Sequence, residues 1–141
     1  MGVGQEQNGD DGAGPAVITA VEKLPVQQSR FVFLNVGAFP ENQISIIRKI
    51  APAMVVFIDA AQMNLEPGEI RLLDLDMIGG LSAATHSLPF AIIGKYLQEE
   101  LGCAVYVLGI QPVHNQPGQS ISPLMEEVVH KMADSLAGMV L

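Results

Sequence analysis

Two stretches of this chain are apolar at almost every position, and nothing else in the sequence constrains the fold as strongly. Met54 to Ile58 reads MVVFI, and Ala104 to Gly109 reads AVYVLG. A strand with one wet face alternates apolar and polar residues, whereas an unbroken apolar run suits a strand covered by helices on both sides. Phe31 to Val36 (FVFLNV) has the same character. Glu69 to Asp76 (EIRLLDLD) alternates only in part and carries charge, which suits a sheet edge.

Helical spacing lies between these runs. After Pro15, the residues Val17, Ile18, Val21 and Leu24 recur on one face. Pro40 opens ENQISIIRKI, with Ile44, Ile47 and Ile50 in a stripe. Phe90, Ile93, Leu97 and Leu101 form a third stripe that Gly102 closes as a C-terminal cap. Ser122 and Pro123 are a natural N-cap and first-turn residue for a helix lined by Leu124, Val128, Met132 and Leu136. Met125, Val129 and Met132 read as packing residues of the same helix. Helices alternating with buried strands predict a three-layer α/β/α sandwich, and with no repeat or linker in view residues 1–141 read as one domain.

The Gly-rich turn Gly9 to Pro15 enters a helix, and such a turn is normally fed by a strand. Only MGVGQEQN precedes it, so that strand is either very short or begins upstream of the recorded start; the second is the expectation.

Composition narrows the function. Apolar residues make up 49% of the 141 and charged residues 16%, enough apolar surface to build a core. A net charge of −8 with scattered Lys and Arg argues against nucleic acid as a partner. No stretch reaches the roughly 20 apolar residues of a membrane helix, and the polar start has no signal-peptide run. With Cys103 the sole cysteine, no internal disulfide can form, and a cytoplasmic location is expected.

In open α/β sheets ligands bind beyond the carboxyl ends of the strands. Asp10 and Asp11 lie in the turn GDDGAGP, Asp59 ends the run VVFI, and His86 sits in ATHSLP ahead of the third helix. Two carboxylates and an imidazole from three loops suit a divalent metal such as nickel or zinc, with coordination positions left open for substrate. Each residue also has a plainer reading. Asp11 can serve a helix N-terminus, and His86 can be structural. Asp59 is a carboxylate at a buried strand end, where it needs a partner. His114 is expected in solvent, and His130 in an exposed ion pair with Glu126 or Glu127. The chain has no GxSxG elbow, GVG followed by QEQN fits neither nucleotide-binding pattern, and Cys103 reads as a small buried thiol.

The segments GVGQEQNGDDGAGP, NVGAFPENQISIIRKIAP, VVFIDAAQMNLEPGEIRLLD, ATHSLP and LGIQP, in this order and spacing, resemble the nickel–iron hydrogenase maturation endopeptidases. The likeness is strongest to the branch that serves hydrogenase 3 and other energy-converting hydrogenases. It implies a hydrolase-like α/β/α domain whose mostly parallel sheet has about five strands, one edge strand antiparallel. It implies metal-binding and catalytic roles for Asp11, Asp59 and His86. The implied reaction removes the C-terminal extension of a nickel–iron hydrogenase large-subunit precursor after nickel insertion. The nickel would be carried by the precursor, with another divalent metal such as zinc taking its place in isolation. The enzyme is expected to act as a monomer, without membrane insertion.

The sequence departs from the family pattern in its missing apolar first strand and in Gln5, which stands where the family's turn carries Asn. Two other readings remain. A receiver-like signalling domain would share the acidic pair and the strand-end Asp, but would want a Lys where this chain has LGIQP. A non-catalytic binding module on the same scaffold would bind a large subunit without cutting it.

Overall fold

The computed structural model describes residues 1–25, 30–78 and 87–140. The five strands are β1 (Gly2–Val3), β2 (Asn35–Gly37), β3 (Met54–Ala60), β4 (Ile70–Asp74) and β5 (Ala104–Ile110). They form one sheet in the order β2-β1-β3-β5-β4. Every pairing is parallel except that of β4, which runs antiparallel to β5 at the edge. Among the described residues the α-helices are α1 (Ala13–Glu22), α2 (Ile44–Ile50), α3 (Leu75–Ile78), α4 (Ser87–Leu101) and α5 (Pro123–Val140).

Strand alternation divides the core between the two faces of the sheet. Val55, Phe57, Val105 and Val107 pack with Phe90, Ile93 and Leu97 of α4 and with Ile47 of α2. Ile58 and Ile110 face the other way, toward Val17, Ile18 and Val21 of α1 and Met125, Val129 and Met132 of α5. The three-layer architecture read from the apolar runs is therefore present. Cys103 is buried in the first of these clusters, and burial pushes its thiol up from the ordinary cysteine value. The folded protein should accordingly resist iodoacetamide at pH 8, while the unfolded chain is alkylated readily; rapid labelling of folded protein would contradict this burial.

The first strand exists but is only two residues long. Its brevity explains why β2 is displaced from the expected run Phe31 to Val36. Gly2 N–H donates to Leu34 O at 2.9 Å, and the ladder continues only through Asn35 and Gly37. The register with β1 begins only at Asn35, and upstream Phe31 is 50% and Val32 55% exposed. On the far side the expected edge strand Glu69 to Asp76 ends at Asp74. Its carboxylate accepts from Met77 N–H at 2.9 Å and turns the chain into α3.

Two stripe assignments shift. In α2 only Ile47 is buried, and Ile50 is 41% exposed. In α5 the packing residues Met125, Val129 and Met132 are buried as expected, joined by Ala133, whereas the stripe that starts at Leu124 lies one position round from them. Ser122 caps α5 as expected, its Oγ accepting from Met125 N–H at 3.3 Å. His130 is exposed on α5, and among the described residues it makes no ion pair with Glu126 or Glu127; the helical pair that forms is Lys95 with Glu99 at 3.8 Å.

The contact that sets α1 against the sheet is backbone on backbone. A Cβ added at Gly14 would lie 2.2 Å from Ile58 O and 2.3 Å from Val3 O, closer than any side chain can approach. The helix therefore crosses β1 and β3 at a distance that glycine alone permits. Gly14→Ala should lower stability by about 3 kcal/mol, the upper range for overpacking, because the clash is with main chain. Thermal unfolding followed by circular dichroism will check it, and an unchanged midpoint would contradict the contact.

Candidate active site

The turn that enters α1 and the end of β3 meet at the carboxyl edge of the parallel strands. The turn is a short 3-10 segment, Gly9–Gly12, that packs against β3. Asp11 lies in it and is 5% exposed; Asp59, the penultimate residue of β3, is fully buried. Gly14, three residues beyond Asp11, touches Ile58 O, one residue before Asp59. Two of the three sequence-predicted site residues thus come from neighbouring parts of one sheet edge. The third, His86, lies outside the described residues.

The Asp11 carboxylate does not cap a helix. Neither the 3-10 segment nor α1 has a side-chain cap bond. Instead Asp11 Oδ2 accepts from Gln5 N–H at 2.9 Å, and its Oδ1 is buried with no hydrogen-bond partner among the described residues. A buried carboxylate oxygen left this way is costly unless something else coordinates it. The Gln5 departure is harmless to the turn, because main chain closes it: Gln5 N–H holds Asp11, and Asn8 N–H donates to Gln5 O at 3.0 Å.

Asp10, read from sequence only as a neighbour of Asp11, is a fully buried anchor. Its carboxylate accepts from Val113 N–H at 2.8 Å, Ser122 N–H at 2.7 Å, Ser122 Oγ–H at 2.9 Å and His114 N–H at 3.3 Å. Charge-assisted bonds of this kind satisfy a buried carboxylate without a counter-charge. They lock the Asp11 turn to the segment after β5 and to the start of α5. His114 is half-buried rather than solvated, because Asp10 N–H donates to its carbonyl at 3.0 Å and draws the imidazole over Gly9. Its Nδ1 is buried without a hydrogen-bond partner among the described residues.

A second polar residue without a local signal is Gln111, next to the end of β5 and 3% exposed. Its side chain holds the chain that leaves Asp59, through Met63 N–H at 2.8 Å and Leu65 N–H at 3.3 Å. Among the described residues no three His, Cys, Asp or Glu side chains gather closely enough to hold a metal ion. The described acids supply oxygen donors suited to a hard or borderline cation.

Solved structures with this fold give the class. A crystal structure of a NiFe hydrogenase maturation protease, HycI from Thermococcus kodakarensis KOD1, superposes with a TM-score of 0.89 at 30% identity, covering 99% of this chain and 88% of that one. The solution structure of the endopeptidase HycI from Escherichia coli superposes at 0.83 with 31% identity, covering 97% and 86%. The class is that of the endopeptidases, hydrolases that cut within a chain. In sequence, the hydrogenase 3 maturation protease of Escherichia coli K12 is 38% identical over 111 residues, 78% of this chain and 69% of that protein. The family profile described as HycI, hydrogenase maturation protease, matches residues 15–139. The chain belongs to the hydrogenase maturation protease family.

The two neighbouring acids should behave oppositely on substitution. Asp10→Ala strands several buried donors and should lower the unfolding midpoint by roughly 10 °C. Asp11→Asn keeps an acceptor for Gln5 N–H and should stay within about 3 °C of wild type. Differential scanning calorimetry compares them, and equal midpoints would refute the division of labour.

Proposed function

We propose that this protein removes the C-terminal extension of a nickel–iron hydrogenase large-subunit precursor once nickel has been inserted. The observation that carries the reading is a pair of acids, Asp11 and Asp59, buried at one carboxyl sheet edge in a chain of this family, with Asp11 Oδ1 lacking a hydrogen-bond partner among the described residues. In this proposal Asp11, Asp59 and His86 turn their oxygen and nitrogen lone pairs toward the nickel that the precursor carries. In the isolated protein another divalent ion such as zinc would take the same donors.

The reaction is hydrolysis of one amide. A water oxygen adds to the scissile carbonyl carbon, the C–N bond breaks, and the released amine takes the proton. Gripping the precursor's nickel would hold the adjacent peptide bond in register, and that positioning is the main contribution of the three side chains. No helix among the described residues is long and apolar enough to cross a membrane. We propose the cytoplasm as the place of processing. We further propose that it acts as a monomer.

The receiver-like alternative gains no support. Where a receiver would want its lysine, Gln111 is buried and already committed to Met63 and Leu65.

The test is to mix purified protein with nickel-loaded large-subunit precursor and follow the precursor by intact mass. Loss of a single C-terminal peptide is expected, and Asp59→Ala or His86→Ala should slow it by roughly 100-fold or more. Precursor that stays intact with wild-type protein would overturn the reading; binding without cutting would indicate a binding module.

A further inference from the structure

The connection between β3 and β4 leaves directly from Asp59, and a single buried residue holds both of its ends. Gln111 N–H donates to Glu69 O at 2.8 Å and Gln111 O accepts from Gly68 N–H at 2.8 Å, which fixes the returning end. Its side chain fixes the outgoing end: Oε1 accepts from Met63 and Leu65, and Nε2 donates to Gln62 Oε1 at 2.9 Å. Two N–H groups two residues apart reach one oxygen because Asn64, between them, takes the left-handed conformation at φ +57°. Asn is one of the few residues that enters this region readily.

The clamp begins where the ladder stops. Asp59 pairs with Gly109 and Ala60 with Ile110, and Ala61 N–H adds a last bond to Ile110 O at 2.9 Å. The next residue on β5's side is Gln111, whose side chain takes over from main chain.

The result bears on Asp59. Register partners in adjacent strands point to the same face, so whatever lies over Gly109 lies on the Asp59 side of the sheet. Met63 lies there: a Cβ built on Gly109 would be 2.9 Å from its Sδ. The missing side chain at Gly109 makes room for the thioether beside the acid.

We propose that Gln111 is a positioning residue for the proteolytic reaction, holding Met63 as a wall of the substrate site next to Asp59. The proposal rests on the protease reading above. It makes the substrate peptide's fit depend on an amide that never touches the substrate. Releasing the clamp lets the Gln62–Leu65 turn relax off Gly109 and loosens the binding of the peptide. The carboxylates that face the reacting bond stay where the sheet and the Asp10 anchor put them.

Steady-state cleavage of the nickel-loaded precursor separates this from a purely structural role. Gln111→Met should raise KM about tenfold while kcat stays within about threefold, because a misplaced binding wall weakens substrate fit. Loss of folded enzyme would instead lower the apparent kcat and leave KM alone. Met63→Ala removes the wall without touching the clamp and should raise KM to a similar degree, so the proposal survives a Gln111 variant that folds poorly. Gln62→Ala removes one bond of the clamp and should raise KM by about threefold. Unchanged KM in Met63→Ala and in folded Gln111→Met would overturn the proposal while wild-type cleavage leaves the protease reading standing. Absence of wild-type cleavage would remove the reading itself.

Discussion

A carboxylate with no access to water holds three remote segments of this chain together. Asp10 takes hydrogen bonds from Val113, His114 and Ser122, residues more than a hundred positions away, and converts the entry to α1 into a fixed platform. The strand below that platform consists of Gly2 and Val3 alone. Two residues of ladder are too few to orient the acidic turn, so the Asp11 position is determined from above, by the loop after β5 and the cap of α5. Ser122 serves both structures at once, donating to Asp10 and accepting from Met125 N–H. The start of α5 and the acidic turn are thereby a single unit.

What was legible in the sequence follows from what leaves a local trace. The runs at β3 and β5 announce themselves because burial on both faces removes every polar position. Asp59 stands out because a charged residue follows such a run directly. β1 leaves no trace, since two residues carry no periodicity, and the extent of β2 was misread because an apolar run becomes a strand only beside a partner. In α5 the sequence offered two adjacent stripes, because Leu124 and Met125 are equally apolar; only the neighbouring α1 selects the one through Met125 and Val129. Asp10 and Gln111 were the least visible of all. Their identity as anchors depends on partners 46 to 112 positions distant, and nothing in the adjacent residues encodes those partners.

The chemistry and the fold place different demands on the same edge of the sheet. The hydrolysis proposed above, at a metal-bearing substrate, would ask for oxygen and nitrogen donors that are not already satisfied by the protein. Stability asks that buried polar atoms be paired. Adjacent residues divide these demands: Asp10 is fully hydrogen-bonded, while Asp11 keeps one oxygen without a partner among the described residues.

The unequal ladders also give the sheet a seam. Seven register pairs join β3 to β5, whereas one joins β1 to β3. Breathing motions will therefore begin on the β2–β1 flank, with amide protons there exchanging sooner than those of the β3–β5–β4 half. Because the acidic turn is moored to the stronger half, such fraying leaves the donor atoms in place, and the molecule can loosen along one margin without scrambling the geometry it works with.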